Sequence, residues 1–428
     1  MKKIISLILV MIMALSVIAC GGGTPATTPK APEKNPPVEK TEIVFAEGGE
    51  VKLSVVLPAE TNTGVNHAAT RIGIIVDEMI GVELSTGSVG EREYELHLGQ
   101  TDDKAREIYG ALGEDEFAIK TVDKKIYIVA KNDLWLYDSV EYFAEKYLAS
   151  EEYSEASVNN LKLTGDIDEV AKTDKTSVRY YFSLGKEINA TVKVKAEATN
   201  TYYAGESTTV PYARQGGCFD GTYMYQALVT KNDECARIMK VNVNTGETTF
   251  SEIRTDMKHA NSMGYNPDRR ELMVGYDTTV FIFNAETLAY KTKITAGQAV
   301  SRGITYDPIA HQYVVRWFRF YDKLDQPVVR SFGHDPSINT GNYDAFQGTG
   351  CDGYFVTALM AKSGAGTKGG YNCHLAVYAT DGTYMGLIKV EIPNGYEPEN
   401  VSIVDGVFYV TGCTPHPVVT LYEVVFGE

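Results

Sequence analysis

The chain is poor in cysteine and lacks the spaced motifs that mark most metal and nucleotide sites. Six of its 428 residues are cysteine, and no Cys-x-x-Cys or Cys/His pair has metal-ligand spacing, so a zinc site is unsupported. Residues 364–370, GAGTKGG, are glycine-rich, but no helix is expected to follow them, as a phosphate-binding loop would require. The sequence therefore predicts neither a metal nor a cofactor.

Basic residues are also scarce. Lysine and arginine total 40 against 56 acidic residues, a formal net charge of -16, and residues 41–428 alone hold 35 basic and 54 acidic residues. Such an acidic surface repels phosphate backbones and anionic lipid headgroups. We therefore expect no nucleic acid partner and no direct adsorption to anionic lipid or anionic polymer.

Long apolar runs are absent except at the N-terminus. Residues 4–17 follow Lys2 and Lys3 and are too few to cross a bilayer as a helix, a pattern typical of a secretory signal peptide. The run ends in VIAC, residues 17–20, which resembles the lipobox of bacterial lipoproteins. The resemblance implies that Cys20 carries acyl chains such as palmitate. It also implies a membrane anchor that leaves the protein outward-facing, on the cell surface or the periplasmic side.

Behind Cys20 the composition predicts a tether and two domains. Residues 21–40 contain five prolines and no apolar periodicity, so they form an extended linker. Residues 41–187 combine helical and strand patterns and predict an α+β accessory domain. Residues 188–428 are rich in tyrosine, glycine and turn signals, which predict an all-β propeller, five-bladed by its repeats.

The α+β pattern of the first domain comes from a few clear elements. A helix is expected over 66–84, a second helix capped by Thr101-Asp102-Asp103 that closes near Leu112, and an amphipathic helix over 133–148. A hairpin is expected around Asp123.

Residues 93–148 resemble the accessory domain that precedes the catalytic barrel of bacterial hexosaminidases and α-glucuronidases. The shared features are the LGQTD element, the hairpin EFAIKTVDKKIYIVAK and the closing helix SVEYFAEKYL. In those enzymes the domain is not catalytic, and its motifs mark fold rather than chemistry. Too little chain follows here for a barrel, so the resemblance implies an accessory domain without the hydrolase activity.

A repeat organises the second domain. Turn dipeptides begin at Asp220, Asn266, Asp307, Asp352 and Asp405, spaced 46, 41, 45 and 53 residues apart, and each precedes a β-rich stretch. The spacing matches four-stranded propeller blades, and the domain is similar in repeat architecture to propellers of secreted bacterial proteins. The last unit is one strand short, whereas residues 191–197 form an unpartnered alternating strand. We therefore expect 191–197 to complete the last blade and close the ring.

Five cysteines remain after Cys20, an odd number that excludes complete internal pairing. Cys218 with Cys235, and Cys351 with Cys373, recur at equivalent places in two blades. First and third strands lie about two strand spacings apart, beyond disulfide reach. We expect buried thiols.

Candidate ligand-binding residues are those that start the innermost strand of each blade, because these strands line the channel and their starts meet at one mouth. They are Arg214 and Gln215, His259 and Asn261, Ser301 and Arg302, Gln347, and Glu397 and Glu399. Amide, guanidinium, imidazole and carboxylate groups together suit a sugar. The alternative is that they satisfy one another and ordered water. For Trp317, core packing is favoured over a sugar-stacking platform.

Three hypotheses for function follow. The first is a surface-anchored, non-catalytic lipoprotein that binds a glycan or other cell-surface ligand at the channel mouth. The second is a carbohydrate-active enzyme, either a glycoside hydrolase, which needs two carboxylates about 5–9.5 Å apart, or a polysaccharide lyase that uses His259 and Arg302. The third is a scaffold for protein interactions. No motif identifies a catalytic residue.

Overall fold

A computed structural model describes residues 41–185, 187–199, 213–230, 232–333, 345–361, 373–393, 397–413 and 418–427, with the side chains of 199, 213, 214, 345, 397 and 413 excluded. The signal peptide, Cys20 and the tether 21–40 lie outside this part, so the lipid anchor stays a prediction. Within it, no helix is both long and apolar enough to cross a membrane. Contacts divide the chain into unit 1, which ends at Thr173, and unit 2, which begins at Asp174.

The described part of unit 1, residues 41–173, contains three α-helices and two sheets. The helices are α1 (Thr63–Ile80), α2 (Asp103–Ala111) and α3 (Leu136–Phe143). The strands are β1 (Glu42–Glu47), β2 (Glu50–Val51), β3 (Leu53–Val56), β4 (Thr86–Gly87), β5 (Tyr94–Leu98), β6 (Glu116–Val122), β7 (Lys125–Ala130), β8 (Ser154–Ser157), β9 (Asn160–Thr164) and β10 (Asp168–Lys172). One sheet has the order β2-β1-β9-β8, and the other, of mixed direction, has the order β10-β6-β7-β5-β3-β4.

Local signals set the helix ends of unit 1. Helix α1 begins after Asn62, whose side chain accepts the Val65 N–H, and ends at Gly81 in the left-handed region with φ 72°. Helix α2 begins in the predicted Thr101-Asp102-Asp103 segment, and its cap is Asp102, whose side chain accepts the Ala105 N–H at 2.8 Å. The hairpin β6–β7 turns at Asp123. The helix expected over 133–148 is divided into a 3₁₀ turn at 133–135, α3 and a π turn at 144–148.

Unit 2 is almost entirely β-structure. It begins with the one helix of its described part, α4 (Val178–Leu184), which the sequence patterns did not predict. Its strands are β11 (Glu187–Thr199), β12 (Ala213–Phe219), β13 (Tyr223–Val229), β14 (Ala236–Asn242), β15 (Thr248–Phe250), β16 (Ser262–Asn266), β17 (Glu271–Tyr276), β18 (Thr279–Asn284), β19 (Tyr290–Thr295), β20 (Ile304–Asp307), β21 (Gln312–Val315), β22 (Arg319–Tyr321), β23 (Arg330–Ser331), β24 (Ala345–Cys351), β25 (Phe355–Ala361), β26 (Cys373–Ala379), β27 (Tyr384–Val390), β28 (Glu397–Val404), β29 (Val407–Cys413) and β30 (Val418–Phe426). They form three four-stranded sheets, β12–β15, β16–β19 and β20–β23, and an eight-stranded sheet of order β24-β25-β26-β27-β11-β30-β29-β28.

The predicted turn dipeptides connect the first and second strands of each repeat. Asp220 follows β12, Asp307 ends β20 and Asp352 follows β24. Each of these carboxylates accepts two backbone N–H groups of its own turn, for example those of Tyr354 and Phe355 at 2.9 and 2.7 Å. Such Asx turns depend only on neighbouring residues, which explains why the repeat was visible in the sequence.

The first strands of the five repeats pack side by side through small residues. A Cβ atom on certain glycines would collide with the next first strand, so only glycine allows this approach. These contacts are Gly216 with Ser262, Gly264 with Ile304, Gly303 with Thr349, and Gly348 with Asn400. The ring closes where the Asn400 side chain donates to the Gly217 carbonyl. The contacts join the starts of neighbouring first strands, so all five begin at one end of the ring, which we call the ring mouth.

The ring is also closed at its outer edge, in a propeller-like arrangement. Residues 191–199 of β11 pair antiparallel with β30, and Glu187–Ala190 run parallel to β27. The prediction that 191–197 completes the last repeat is confirmed. Unit 2 begins earlier than the boundary expected near residue 187, because α4 packs on it. The Phe182 ring lies 5.5 Å from that of Phe355, and Tyr181 stacks on Phe426 at 5.1 Å.

The described thiols of unit 2 are buried, as predicted. Cys218, Cys351 and Cys373 are free, Cys235 is also buried, and burial raises the pKa of Cys218 and Cys351 well above the ordinary thiol range. The side chain of Cys413 lies outside the described part.

Candidate functional site

Three of the predicted ligand-binding residues occupy equivalent β-bulges at the ring mouth. Pairing shifts register between Arg214 and Gly217 in β12, between Phe346 and Gly348 in β24, and between Pro398 and Asn400 in β28. Gln215, Gln347 and Glu399 therefore stand at the shifts. A bulge redirects side chains and is frequent beside functional sites. Sequence alternation alone could not reveal it, since a bulge exists only relative to a partner strand.

Backbone contacts bring the other predicted residues next to these bulges. The Gly216 N–H donates to the Ala260 carbonyl at 3.3 Å, which places Gln215 beside the segment of His259 and Asn261. Gly303, which follows Arg302, lies against Phe346 and Thr349, on either side of Gln347.

The predicted residues differ in exposure. Gln215, His259, Asn261, Ser301 and Gln347 are half-buried, Arg302 is exposed and Glu399 is buried. The side chains of Arg214 and Glu397 lie outside the described part, so their role stays a prediction. The exposure of the first group leaves polar atoms available to a ligand at the mouth.

His259 lies beside a carboxylate that the sequence patterns did not indicate. Its Nδ1 lies 2.8 Å from Asp233 Oδ2, and the two side chains are 41% and 42% exposed. Asp233 stands in the turn between β13 and β14, and both Lys258 and Ala260 have positive φ. The contact lacks hydrogen-bond geometry, because Nδ1 has no hydrogen-bond partner among the described residues. His259 is therefore a half-buried imidazole beside a carboxylate, without a hydrogen bond that fixes its tautomer.

Two buried side-chain amides bond the backbone of the first strands near the mouth. Asn400, 1% exposed, donates through Nδ2 to the carbonyls of Gly217 and Met263, the latter at 2.6 Å, and so links three first strands. Gln226 donates to the carbonyls of Gln215 and Gly216. These contacts hold the bulge of β12 in shape. Asn400 was not predicted, because the bulge at Glu399 changes the alternation of side chains along β28, and Gln226 was not predicted, because it lies on the second strand of its repeat.

Trp317 combines features of its two predicted roles, core packing and a platform for sugar stacking. It is half-buried and packs on a core cluster that includes Phe346, with ring centroids 5.2 Å apart. It lies in the tight turn between β21 and β22, at the ring mouth, with φ 62°. Part of the indole packs in the core and part is accessible.

Unit 1 contains a buried polar network that coincides with the LGQTD element. His97, fully buried, bonds Glu95 through Nε2 at 2.8 Å and Thr101 through Nδ1 at 2.6 Å. The Tyr127 hydroxyl donates to Asp102 at 3.0 Å. Lys125 lies 2.8 Å from Glu95. Burial opposes ionisation of Glu95, but bonds from Lys125, the Gly90 N–H and His97 outweigh it and lower its pKa to about 2. In this chain the motif organises the core of unit 1.

No group of three or more His, Cys, Asp or Glu side chains that could hold a metal occurs among the described residues.

No protein-family model matches the chain, and no curated protein sequence matches it. Similar solved structures include a nidogen/laminin complex, at 12% identity over 53% of this chain and 88% of that chain with TM-score 0.31. Others are the RRP9 WD40 repeats, at 12% identity over 54% and 81% with TM-score 0.32, and U3-55K, at 12% over 54% and 80% with TM-score 0.30. Similarities of this size carry no argument about function.

Proposed function

We propose that the protein is an outward-facing, lipid-anchored bacterial lipoprotein whose unit 2 is a five-bladed propeller that binds a glycan at the ring mouth without catalysis. Unit 1 acts as an α+β accessory domain or spacer. The sheet order supports the count of five blades. Each of the three four-stranded sheets corresponds to one blade, and the eight-stranded sheet corresponds to two, which β11 joins by pairing with both β27 and β30.

The observation that carries the proposal is the recurrence of one device in separate repeats. Gln215, Gln347 and Glu399 stand at bulges in equivalent positions, next to His259, Asn261 and Arg302. Structural packing alone does not require the same irregularity in three strands. Uncharged amides, an imidazole and charged groups at one mouth match the several hydroxyl groups of a sugar.

A glycan array probed with the full chain tests this proposal, with binding and product release read on the same spots. We expect retention on a defined set of glycans without cleavage. Retention on none of them would overturn glycan binding and favour a scaffold for protein interactions.

The pair formed by His259 and Asp233 favours a second candidate function, a carbohydrate-active enzyme in which His259 is the base. Product release in the array assay, abolished by His259→Ala and reduced by Asp233→Asn, would establish catalysis. Release that survives both substitutions would exclude this pair as its source.

The anchor is tested separately. Cys20→Ser should move the protein from the membrane pellet to the soluble or secreted fraction. A variant that still sediments with membranes would overturn lipidation at Cys20.

A further inference from the structure

Three arginines meet at one side of the ring mouth in a chain that is acidic overall. The Arg316 N–H donates to the Gly303 carbonyl at 3.2 Å, which places Arg316 beside Arg302, and Arg319 follows on the far side of the same turn. The pKa of Arg316 is lowered, first by burial and then by the charges of Arg302 and Arg319. We call Arg302, Arg316, Arg319 and Trp317 the arginine corner.

No carboxylate neutralises this corner within the described part of the chain. Arg319 donates to the amide oxygen of Gln298, an uncharged acceptor. The Nε of Arg316 is buried and has no hydrogen-bond partner there. Guanidinium groups are usually matched to carboxylates or phosphates in a bidentate geometry. Three such groups without an acid leave room for an external anion.

The turn that carries the corner opposes local conformational preference. Trp317 and Phe318 both adopt left-handed backbone conformations, with φ 62° and 51°, in the three-residue hairpin turn between Val315 and Arg319, and such conformations favour glycine or asparagine. Phe318 is fully buried against Phe332 and Tyr378. Trp317 instead remains half-exposed, with the Arg316 guanidinium 5.1 Å from its ring. Backbone strain of this kind clusters at ligand sites.

We propose that the arginine corner binds the carboxylate of an acidic sugar, a uronic acid unit, with Trp317 stacked beneath the sugar ring. This rests on the proposed function and specifies its ligand class. The two carboxylate oxygens can accept paired hydrogen bonds from the guanidinium groups of Arg316 and Arg302, and the indole offers a flat apolar surface to the sugar. The net charge of -16 repels a long polyanion, so the ligand is a short oligosaccharide or a single acidic unit in a mixed glycan.

Calorimetric titration of the full chain with trigalacturonate and with its methyl ester tests this inference. We expect the acid to bind at least tenfold more tightly than the ester, because esterification removes the charge and keeps the sugar rings. Equal affinity for both probes would overturn the inference. Binding of a sulfated trisaccharide but not of the uronate would also overturn it.

Variants then place the site. The Arg316→Met substitution keeps a half-buried apolar side chain and removes the charge. We expect the affinity for the acid to fall tenfold and the affinity for the ester to stay unchanged. Arg316→Lys should restore only part of the loss, because the fork is missing. Arg269→Gln is the matched control, an exposed arginine at the opposite end of the repeats, and should change affinity less than twofold. Equal effects of Arg316→Met and Arg269→Gln would overturn the assignment.

Trp317→Gly separates binding from packing. Glycine accepts the positive φ without strain, which offsets part of the packing on Phe346 that is lost, so we expect a modestly lower melting temperature together with a loss of uronate affinity of tenfold or more. A lower melting temperature with retained affinity would overturn the stacking role. If neutral glycans bind and the uronate does not, this inference fails and the proposed function still holds. If no saccharide binds, both fail.

Discussion

The two units treat their polar side chains in opposite ways. In unit 1, Glu95, His97, Asp102, Tyr127 and Lys125 bond one another in and around the core. At the ring mouth of unit 2, bulges and tight turns hold polar side chains half-exposed. A network that is complete in itself stabilises a fold, whereas groups left accessible at fixed positions can bind something else. The contrast is why we propose a ligand-binding function for unit 2 and an accessory role for unit 1.

Deletion of residues 191–197 should have the largest effect. It removes most of the strand that pairs with β30, and the exposed edges and apolar surface should lower the free energy of unfolding of unit 2 by several kcal/mol. The chain has two tryptophans, Trp135 in unit 1 and Trp317 in unit 2. Fluorescence of Trp317 in a Trp135→Phe background therefore follows unit 2 during denaturation. An unchanged transition would show that ring closure by β11 is unimportant.

Acid should destabilise unit 1 through Glu95. Its pKa is lowered to about 2 in the folded state from an ordinary 4.5, so its contribution is present above pH 4.5 and is lost as pH falls through the folded pKa. The contribution is about 3 kcal/mol. Trp135 fluorescence in a Trp317→Phe background measures it by urea unfolding between pH 6 and 2. The Glu95→Gln variant should have a lower free energy of unfolding than the wild type at pH 6, and this free energy should change less with pH. The same pH dependence in both proteins would contradict the network.

Replacement of Asn400 should destabilise unit 2 by an intermediate amount. Asn400→Ala leaves the carbonyls of Gly217 and Met263 without their donor, at a cost of about 2 kcal/mol. Asn261→Ala, a half-buried asparagine at the mouth, is the control and should cost less than about 0.5 kcal/mol. Urea midpoints followed through Trp317 distinguish the two. Similar losses would mean that the mouth is as tightly packed as the ring interior.

The double substitution His259→Ala and Arg302→Ala should barely affect folding and should reduce glycan affinity. Each lost hydrogen bond to an uncharged sugar is worth about 0.5–1.5 kcal/mol, so the affinity should fall at least several-fold.

The matched control pairs His311→Ala with Arg269→Ala, since His311 also contacts an aspartate, Asp268, at 2.7 Å, but at the other end of the repeats. Unchanged affinity in the folded mouth variant would move the site away from the ring mouth.

Features that depend on near neighbours in sequence were predictable. The turns at Asp220, Asp307 and Asp352 and the helix start within residues 101–103 were predictable, because the side chains there bond their own turn or helix. The partner of residues 191–197 was also predictable, because an unpaired strand and a repeat short by one strand are each visible in the sequence. The helix α4 was missed, since its packing on Phe355 and Phe426 depends on residues far along the chain.

The sequence by itself determined the period of the repeats, the turn chemistry, the buried thiols and the set of residues at the starts of the first strands. Tertiary structure alone decided which of those residues stand at bulges, that Asp233 lies beside His259, that Asn400 links three first strands and that three arginines share one corner. The physical reason is that periodicity and turns arise from contacts between residues a few positions apart. Bulge registers and side-chain partners are instead set by strands that meet across tens to nearly two hundred residues, as Gly217 and Asn400 do.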